Sequence, residues 1–303
     1  MLEVVGFLLG SVLGSFGLVL AERSLKNQSF GGRSKCGYCK HTLSAIDLFP
    51  IFSYIFLRGK CRYCKKKIGL EYPLVEILVG LLIGFLFFDS FKIVDFSKIN
   101  LQTFANPQFL FFISDILFKT FFITVLCVLF ITDFRKMFIP DRIVIPAIKI
   151  SIVYLIVITV SKIGFLYYYL GQTAIGKHLL PPHSDYFARH ALMTADPLIY
   201  GIGMALALAG FFYFLIVITK GKGMGGGDVK LGAFMGLVLG FPNALLALIL
   251  SFISGAVVSL FLILFGKKHF GQHIAFGPFL VLGSLIALFW GNEIINWYLS
   301  FST

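Results

Sequence analysis

The sequence predicts an all-α integral membrane protein of about eight transmembrane helices, with a four-cysteine, zinc-ribbon-like loop on the cytoplasmic side. Three observations predict it. The 303 residues are 58% hydrophobic and only 13% charged, with a mean hydropathy of +0.92, which is more apolar side chain than one soluble core can use. Long apolar runs recur from end to end, each near the length an α-helix needs to cross ~30 Å of hydrocarbon. Lys and Arg collect in every second connection between those runs.

In chain order, the apolar runs fall at 2–21, 73–88, 109–131, 143–161, 198–218, 229–241, 244–265 and 274–290. The first opens Met1-Leu2-Glu3, with no basic segment before it and no small-residue cleavage pattern ahead of Glu22-Arg23. It reads as a retained helix, not a signal peptide. The connections at 22–72, 132–142, 219–230 and 266–273 hold 19 of the 26 Lys and Arg residues. Those at 89–108, 162–197 and 242–243 hold Lys92, Lys98, Lys162, Lys177 and Arg189. The positive-inside bias therefore puts the N-terminus outside and the basic connections in the cytoplasm. It also accounts for the formal charge of +12 without nucleic acid, since anionic headgroups are the partner at hand. Tandem repeats and low-complexity tracts are not expected. The chain divides into a first helix (1–21), a cysteine loop (22–72) and a polytopic region (73–303).

Within the basic loop lie Cys36-Gly-Tyr-Cys39 and Cys61-Arg-Tyr-Cys64, two C-x2-C knuckles in the spacing of a zinc ribbon. Each knuckle turns two sulfurs the same way, and two facing knuckles give the tetrahedral S4 shell that Zn²⁺ prefers. Lys35, Lys40, Arg62 and Lys65 favour thiolate over thiol. Two disulfides or free redox thiols are the alternatives, and a cytoplasmic location disfavours stable disulfides. With sulfur at all four positions the metal would hold a fold and leave no place for a catalytic water. Cys127, alone in an apolar run, reads as packing.

Charged residues within or at the edge of apolar helices are costly and draw attention to themselves. Asp115 and Lys119 lie one turn apart and read as a neutralising pair; Glu76 and Lys149 read as structural. Asp133 ends an apolar run and begins the stretch to Ile139-Pro140-Asp141, where Asp141 reads as holding the loop or the helix start. Asp228 follows Gly223-Met224-Gly225-Gly226-Gly227, backbone without side chains entering the membrane boundary, which is tolerated where it lines a wet cavity or is buried in protein. Two carboxylates brought together there share a proton, one activating water while the other donates to a carbonyl. The bland alternative is that Asp133 and Asp228 cap helices or pair with Arg135 and Lys230. A phosphate loop is disfavoured, because G-x-x-x-x-G-K-[ST] is absent and a carboxylate would repel phosphate.

In order along the chain, Gly10 to Phe16 with Glu22-Arg23, Lys35-Cys36 to Cys39, Asp47-Leu48-Phe49-Pro50, Leu57 to Cys64, Tyr72-Pro73-Leu74-Val75-Glu76, Asp133 with Ile139-Pro140-Asp141, Gly225-Gly226-Gly227-Asp228 and Ile274 to Phe279 together resemble the type IV prepilin peptidases, also called leader peptidase/N-methyltransferases. The resemblance implies an intramembrane-type G-x-G-D aspartic peptidase of the bacterial inner membrane with Asp133 and Asp228 as catalytic residues. It also implies hydrolysis of prepilins or pseudopilins after a glycine at the cytoplasmic face, and methylation of the new N-terminal amine with S-adenosylmethionine. No G-x-G-x-x-G fingerprint marks a methyl-donor site. The stretch 162–197, with His178, His183 and His190, matches nothing in that family and reads as an exposed polar loop, not a histidine metal site. A transporter is the rival class, but no inverted repeat is found, the acids sit at one face, and a four-cysteine module has no use there. A catalytically silent pilus scaffold is a third reading.

Overall fold

The protein is described by a computed structural model covering residues 2–92, 106–221, 224–265 and 275–301. Most of the connections at 89–108 and 266–273, together with Gly223 and Ile274, lies outside these residues. Ten α-helices occur among the described residues: α1 (Leu2–Leu25), α2 (Phe52–Phe56), α3 (Glu71–Phe91), α4 (Pro107–Lys136), α5 (Asp141–Gly171), α6 (Ala174–His178), α7 (Tyr186–Ile218), α8 (Gly226–Leu239), α9 (Asn243–Leu264) and α10 (Gly277–Ser300). Extended pairing in this set is limited to two isolated bridges in the cysteine loop.

Seven of these helices are long and apolar enough to cross a membrane, where the sequence predicts about eight. The difference is α8. Its 14 residues rise about 21 Å at ~1.5 Å per residue, short of the ~30 Å hydrocarbon layer. Gly240, at φ 61, and Pro242 end it before the apolar run is exhausted. The stretch 162–197 also departs from its reading as a loop. Helix α5 continues to Gly171 and α7 starts at Tyr186, so the linking segment is short and carries α6.

The chain forms two compact units, residues 1–102 with 113–140 and residues 103–112 with 141–303. In the first, α1 and α3 pack through glycine. Gly6, Gly10 and Gly14 recur every fourth residue and bring α1 against Gly80 and Gly84 of α3. A Cβ on Gly10 would sit 2.6 Å from the Val79 carbonyl oxygen, and one on Gly80 would sit 2.7 Å from Ser11 Oγ. Small residues at this spacing let two backbones touch in a solvent that gives no hydrophobic drive. Glu76, buried in α3, accepts the Ile51 N–H at 2.8 Å and ties the cysteine loop to the helix. Asp115 and Lys119 pair at 2.8 Å on α4, as their spacing suggests.

The second unit repeats the device. Gly201 on α7 and Gly232 and Gly236 on α8 remove the side chains between the two helices; a Cβ on Gly236 would lie 2.6 Å from Ala205 N. Leu155 of α5 closes on Ala205 and Leu237 to form a small apolar core. Gly283 of α10 meets the Ala247 carbonyl and Ser251 Oγ of α9 in the same way. Large apolar side chains such as Val153, Val157 and Val160 of α5 point outward, as lipid-facing residues do.

Candidate active site and metal centre

The structure brings the four predicted cysteines together. All four Sγ atoms lie within 4.8 Å of one another, and Cys36 and Cys64 are 3.9 Å apart. A tetrahedron with ~2.3 Å metal–sulfur bonds has edges of about 3.8 Å, so the Cys36–Cys64 separation already matches and the set as a whole is close enough for one zinc ion to draw together. None of them forms a disulfide. Each knuckle is built by the same local bonds. Cys36 N–H reaches His41 O at 2.9 Å and Lys40 N–H reaches Cys36 O at 3.0 Å; Cys61 N–H reaches Lys66 O at 2.9 Å and Lys65 N–H reaches Cys61 O at 3.0 Å. Lys40 and Lys65 both take positive φ, 61° and 59°, to make the turn. The knuckles also clasp each other reciprocally: Tyr63 packs against His41 with ring centroids 3.7 Å apart, and Lys66 lies 4.8 Å over the Tyr38 ring. A repeat is therefore present where none is expected: Lys35-Cys-Gly-Tyr-Cys-Lys40 returns as Lys60-Cys-Arg-Tyr-Cys-Lys65. The intervening Leu43–Gly59 stretch keeps the two copies from standing in tandem.

Without a metal the thiols compete for charge. Burial pushes the Cys36 thiol up, but N–H groups of Cys39 and Tyr38 and the neighbouring thiols of Cys39 and Cys61 outweigh it and bring it down to about 6. For Cys39 the His41 N–H acts downward, yet desolvation and the sulfurs of Cys36 and Cys64 raise it to about 11. One thiolate thus forms readily and resists a second, the imbalance that a divalent cation removes. Asp47 props the second knuckle: Ser44 Oγ donates to it at 2.8 Å, Tyr63 OH at 3.2 Å and Arg62 Nε at 2.8 Å. Burial alone would raise its carboxyl, but these donors, beginning with Ser44, hold it below the ordinary range.

Asp133 occupies the last turn of α4 and is buried, 6% exposed. Its carbonyl accepts the Met137 N–H at 2.7 Å, and Met137, at φ 49, ends the helix. Arg135, two residues on, reaches Glu71 of α3 at 2.7 Å and Glu22 of α1 at 3.8 Å. Tyr72 OH donates to the same Glu22. In the second unit, Asp228 is the third residue of α8, half-buried, and its Oδ2 accepts the Gly225 N–H at 3.4 Å. Lys230, again two residues on, reaches Asp141 at the start of α5 at 2.5 Å. Each aspartate is thus followed by a cation tied to a carboxylate on another helix, an anchor the sequence analysis missed. The signal was present: Asp133-Phe-Arg135 and Asp228-Val-Lys230 share one spacing.

The histidines do not assemble into a comparable centre. His178 and His183 have ring centroids 5.9 Å apart, while His190 stacks on Tyr186 at 3.8 Å. Among the described residues, the cysteines are the group of three or more ligating side chains within reach of one ion.

The fold and its centre define a polytopic α-helical membrane protein with a four-thiol metal module at one end of its first helix pair. Two family models then match in succession, the Bacterial Peptidase A24 N-terminal domain over residues 8–90 and the Type IV leader peptidase family over residues 120–260. Together the two models cover most of the chain, which is similar over that length to the type IV leader peptidase family. It is similar to a "Prepilin leader peptidase/N-methyltransferase" of Bacillus subtilis, 29% identical over 97% of this chain and 96% of that protein. Proteins of the same name from Aeromonas hydrophila (29%, 88% and 75%) and Pseudomonas aeruginosa (27%, 89% and 75%) are also similar. No solved structure matches.

Proposed function

We propose that the protein is a prepilin peptidase that hydrolyses the leader of prepilins or pseudopilins after a glycine, with Asp133 and Asp228 as its acid–base pair. The observation that carries this reading is that the second family model spans both aspartates while the first spans all four cysteines. One carboxylate takes a proton from water as the hydroxide attacks the scissile carbonyl carbon, and the other, protonated, donates to the carbonyl oxygen. As the tetrahedral adduct collapses, the C–N bond breaks and the amine leaves with the proton the base had taken. Arg135 and Lys230 hold the turns that carry the two acids, through Glu71 and Asp141.

The positive-inside distribution supports an N-terminus outside and hydrolysis at the cytoplasmic face of a bacterial inner membrane. There a cleavage point between a basic leader and an apolar helix would emerge from the lipid. The reading assigns 22–72 to the metal module and 73–303 to hydrolysis. Cys36, Cys39, Cys61 and Cys64 would hold zinc in a closed shell that stiffens the loop and supplies no hydrolytic water. The relatives' name supports N-methylation of the new N-terminus with S-adenosylmethionine as donor. No strand-built nucleotide pocket occurs among the described residues, and no side chain is assigned to the donor. The test is purified protein, a prepilin and S-adenosylmethionine, followed by mass spectrometry. Leader loss plus one added methyl group is expected; an intact prepilin after incubation with folded protein would remove the assignment.

A further inference from the structure

The segment between the two knuckles presents its apolar side outward. From Ile46 to Phe56 it forms a 3-10 turn and α2, with Pro50 buried, Tyr54 packed on Gly59, and the Tyr54 OH directed to the Ile68 carbonyl. Its outer face is Phe49, Phe52, Ile55 and Phe56; Phe56 is 81% exposed, Ile55 is 63% exposed, and the rings of Phe49 and Phe52 lie 5.6 Å apart. A helix facing water carries the reverse pattern, with apolar residues inward. A contiguous exposed patch of this kind marks a contact surface.

Two observations identify what it contacts. The Ile51 N–H binds Glu76, five residues into α3, so α2 begins about 7 Å along the helix from its start, at ~1.5 Å per residue. The bond therefore holds α2 against the first turns of α3, a helix long and apolar enough to cross a membrane. The patch is also followed directly in the chain by exposed Arg58 and Lys60, which give it a cationic edge. Aromatic and aliphatic side chains on one face with a cationic rim are what lies flat in a lipid headgroup region.

We infer that Phe49–Phe56 is an interfacial anchor whose partner is the anionic lipid surface beside α3, pinning the four-cysteine module to the membrane face. The inference rests on α1 and α3 crossing the bilayer. That premise is checked separately by Phe16→Trp on α1 and Leu81→Trp on α3, both exposed positions, in a background lacking Trp290 and Trp297.

The test uses the full chain with Trp290→Phe and Trp297→Phe, in which Phe56→Trp or Ile55→Trp supplies the single fluorophore, in vesicles of phosphatidylcholine with phosphatidylglycerol. Retention of one zinc per chain shows that the loop is folded. Blue-shifted emission, with a loss of about half the intensity on bromine-labelled lipid and little effect of acrylamide, is the expected result. The shift should weaken when phosphatidylglycerol is left out. Emission at the wavelength of water, quenched by acrylamide and not by bromolipid, would overturn the anchor. So would shielding that appears only on adding a prepilin, or only where two copies cross-link, because the occupant would then be protein. A shift indifferent to phosphatidylglycerol would remove the role of the cationic rim.

Discussion

The four-cysteine loop and the two aspartate turns reach their geometry by opposite routes. In the loop every cysteine sits in a local turn, closed by bonds spanning a few residues and repeated with the same partners in both knuckles. Two residues beyond each aspartate, a cation instead finds partners far along the chain: Arg135 meets Glu71 and Glu22, and Lys230 meets Asp141. A centre made of local turns tolerates change elsewhere in the chain. A turn at a helix end responds to the packing of whole helices.

The largest expected effect tests the chemistry at the helix ends. Asp133→Asn and Asp228→Asn keep side-chain size but remove the proton carrier, and each should lower cleavage by about a thousandfold or more in a prepilin time course. Full activity in either would end the comparison by emptying one of its halves. Next comes Cys61→Ser, which opens the thiolate shell at a buried position. Metal analysis should fall from about one zinc per chain to near none, and the loop should lose several kcal/mol, while part of the cleavage survives because no cysteine acts on the peptide bond.

Smaller effects address packing. Gly236→Ala drives a Cβ into the backbone of Ala205 and Met204 and should cost about 1 to 3 kcal/mol with a loss of activity. Gly203→Ala, which meets nothing within 4 Å, should leave thermal unfolding in detergent unchanged. Equal behaviour of the two would deny that α8 is held by close approach to α7. Smallest is Glu71→Gln. The partly exposed pair with Arg135 is worth about 1 kcal/mol or less, and stability should barely move. A several-fold fall in kcat at constant KM would show that the pair positions Asp133; unchanged kinetics would make it ornamental.

Sequence reading reached the parts governed by short-range rules. Apolar run length located the seven described helices long enough to cross a membrane, and C-x2-C spacing located four cysteines whose sulfurs do converge. It overcounted at 229–241, a run already too short to cross ~30 Å of hydrocarbon, and the helix that holds it has 14 residues and stops at Gly240. It also read 162–197 as a loop, because Tyr167 to Tyr169 and the polar residues around His190 lack the hydropathy of a span, although they continue α5 and α7 beyond the length a bilayer requires. The anchors of the two aspartates were illegible for another reason: Arg135 and Glu71 are distant in sequence, and only helix packing makes them neighbours.

The reciprocal clasp of the knuckles gives the cysteine loop the logic of a symmetric dimer folded into one chain. Each half lends a tyrosine to the other, so neither octapeptide is self-sufficient, yet the two are nearly interchangeable parts. Replacing residues 60–67 by a copy of 35–42 keeps Lys60, both cysteines, Tyr63 and Lys65, and puts a histidine where Lys66 covers Tyr38. Such a homodimeric clasp should still take one zinc, whereas scrambling either octapeptide should release it, since a ring with one arm has nothing to close on.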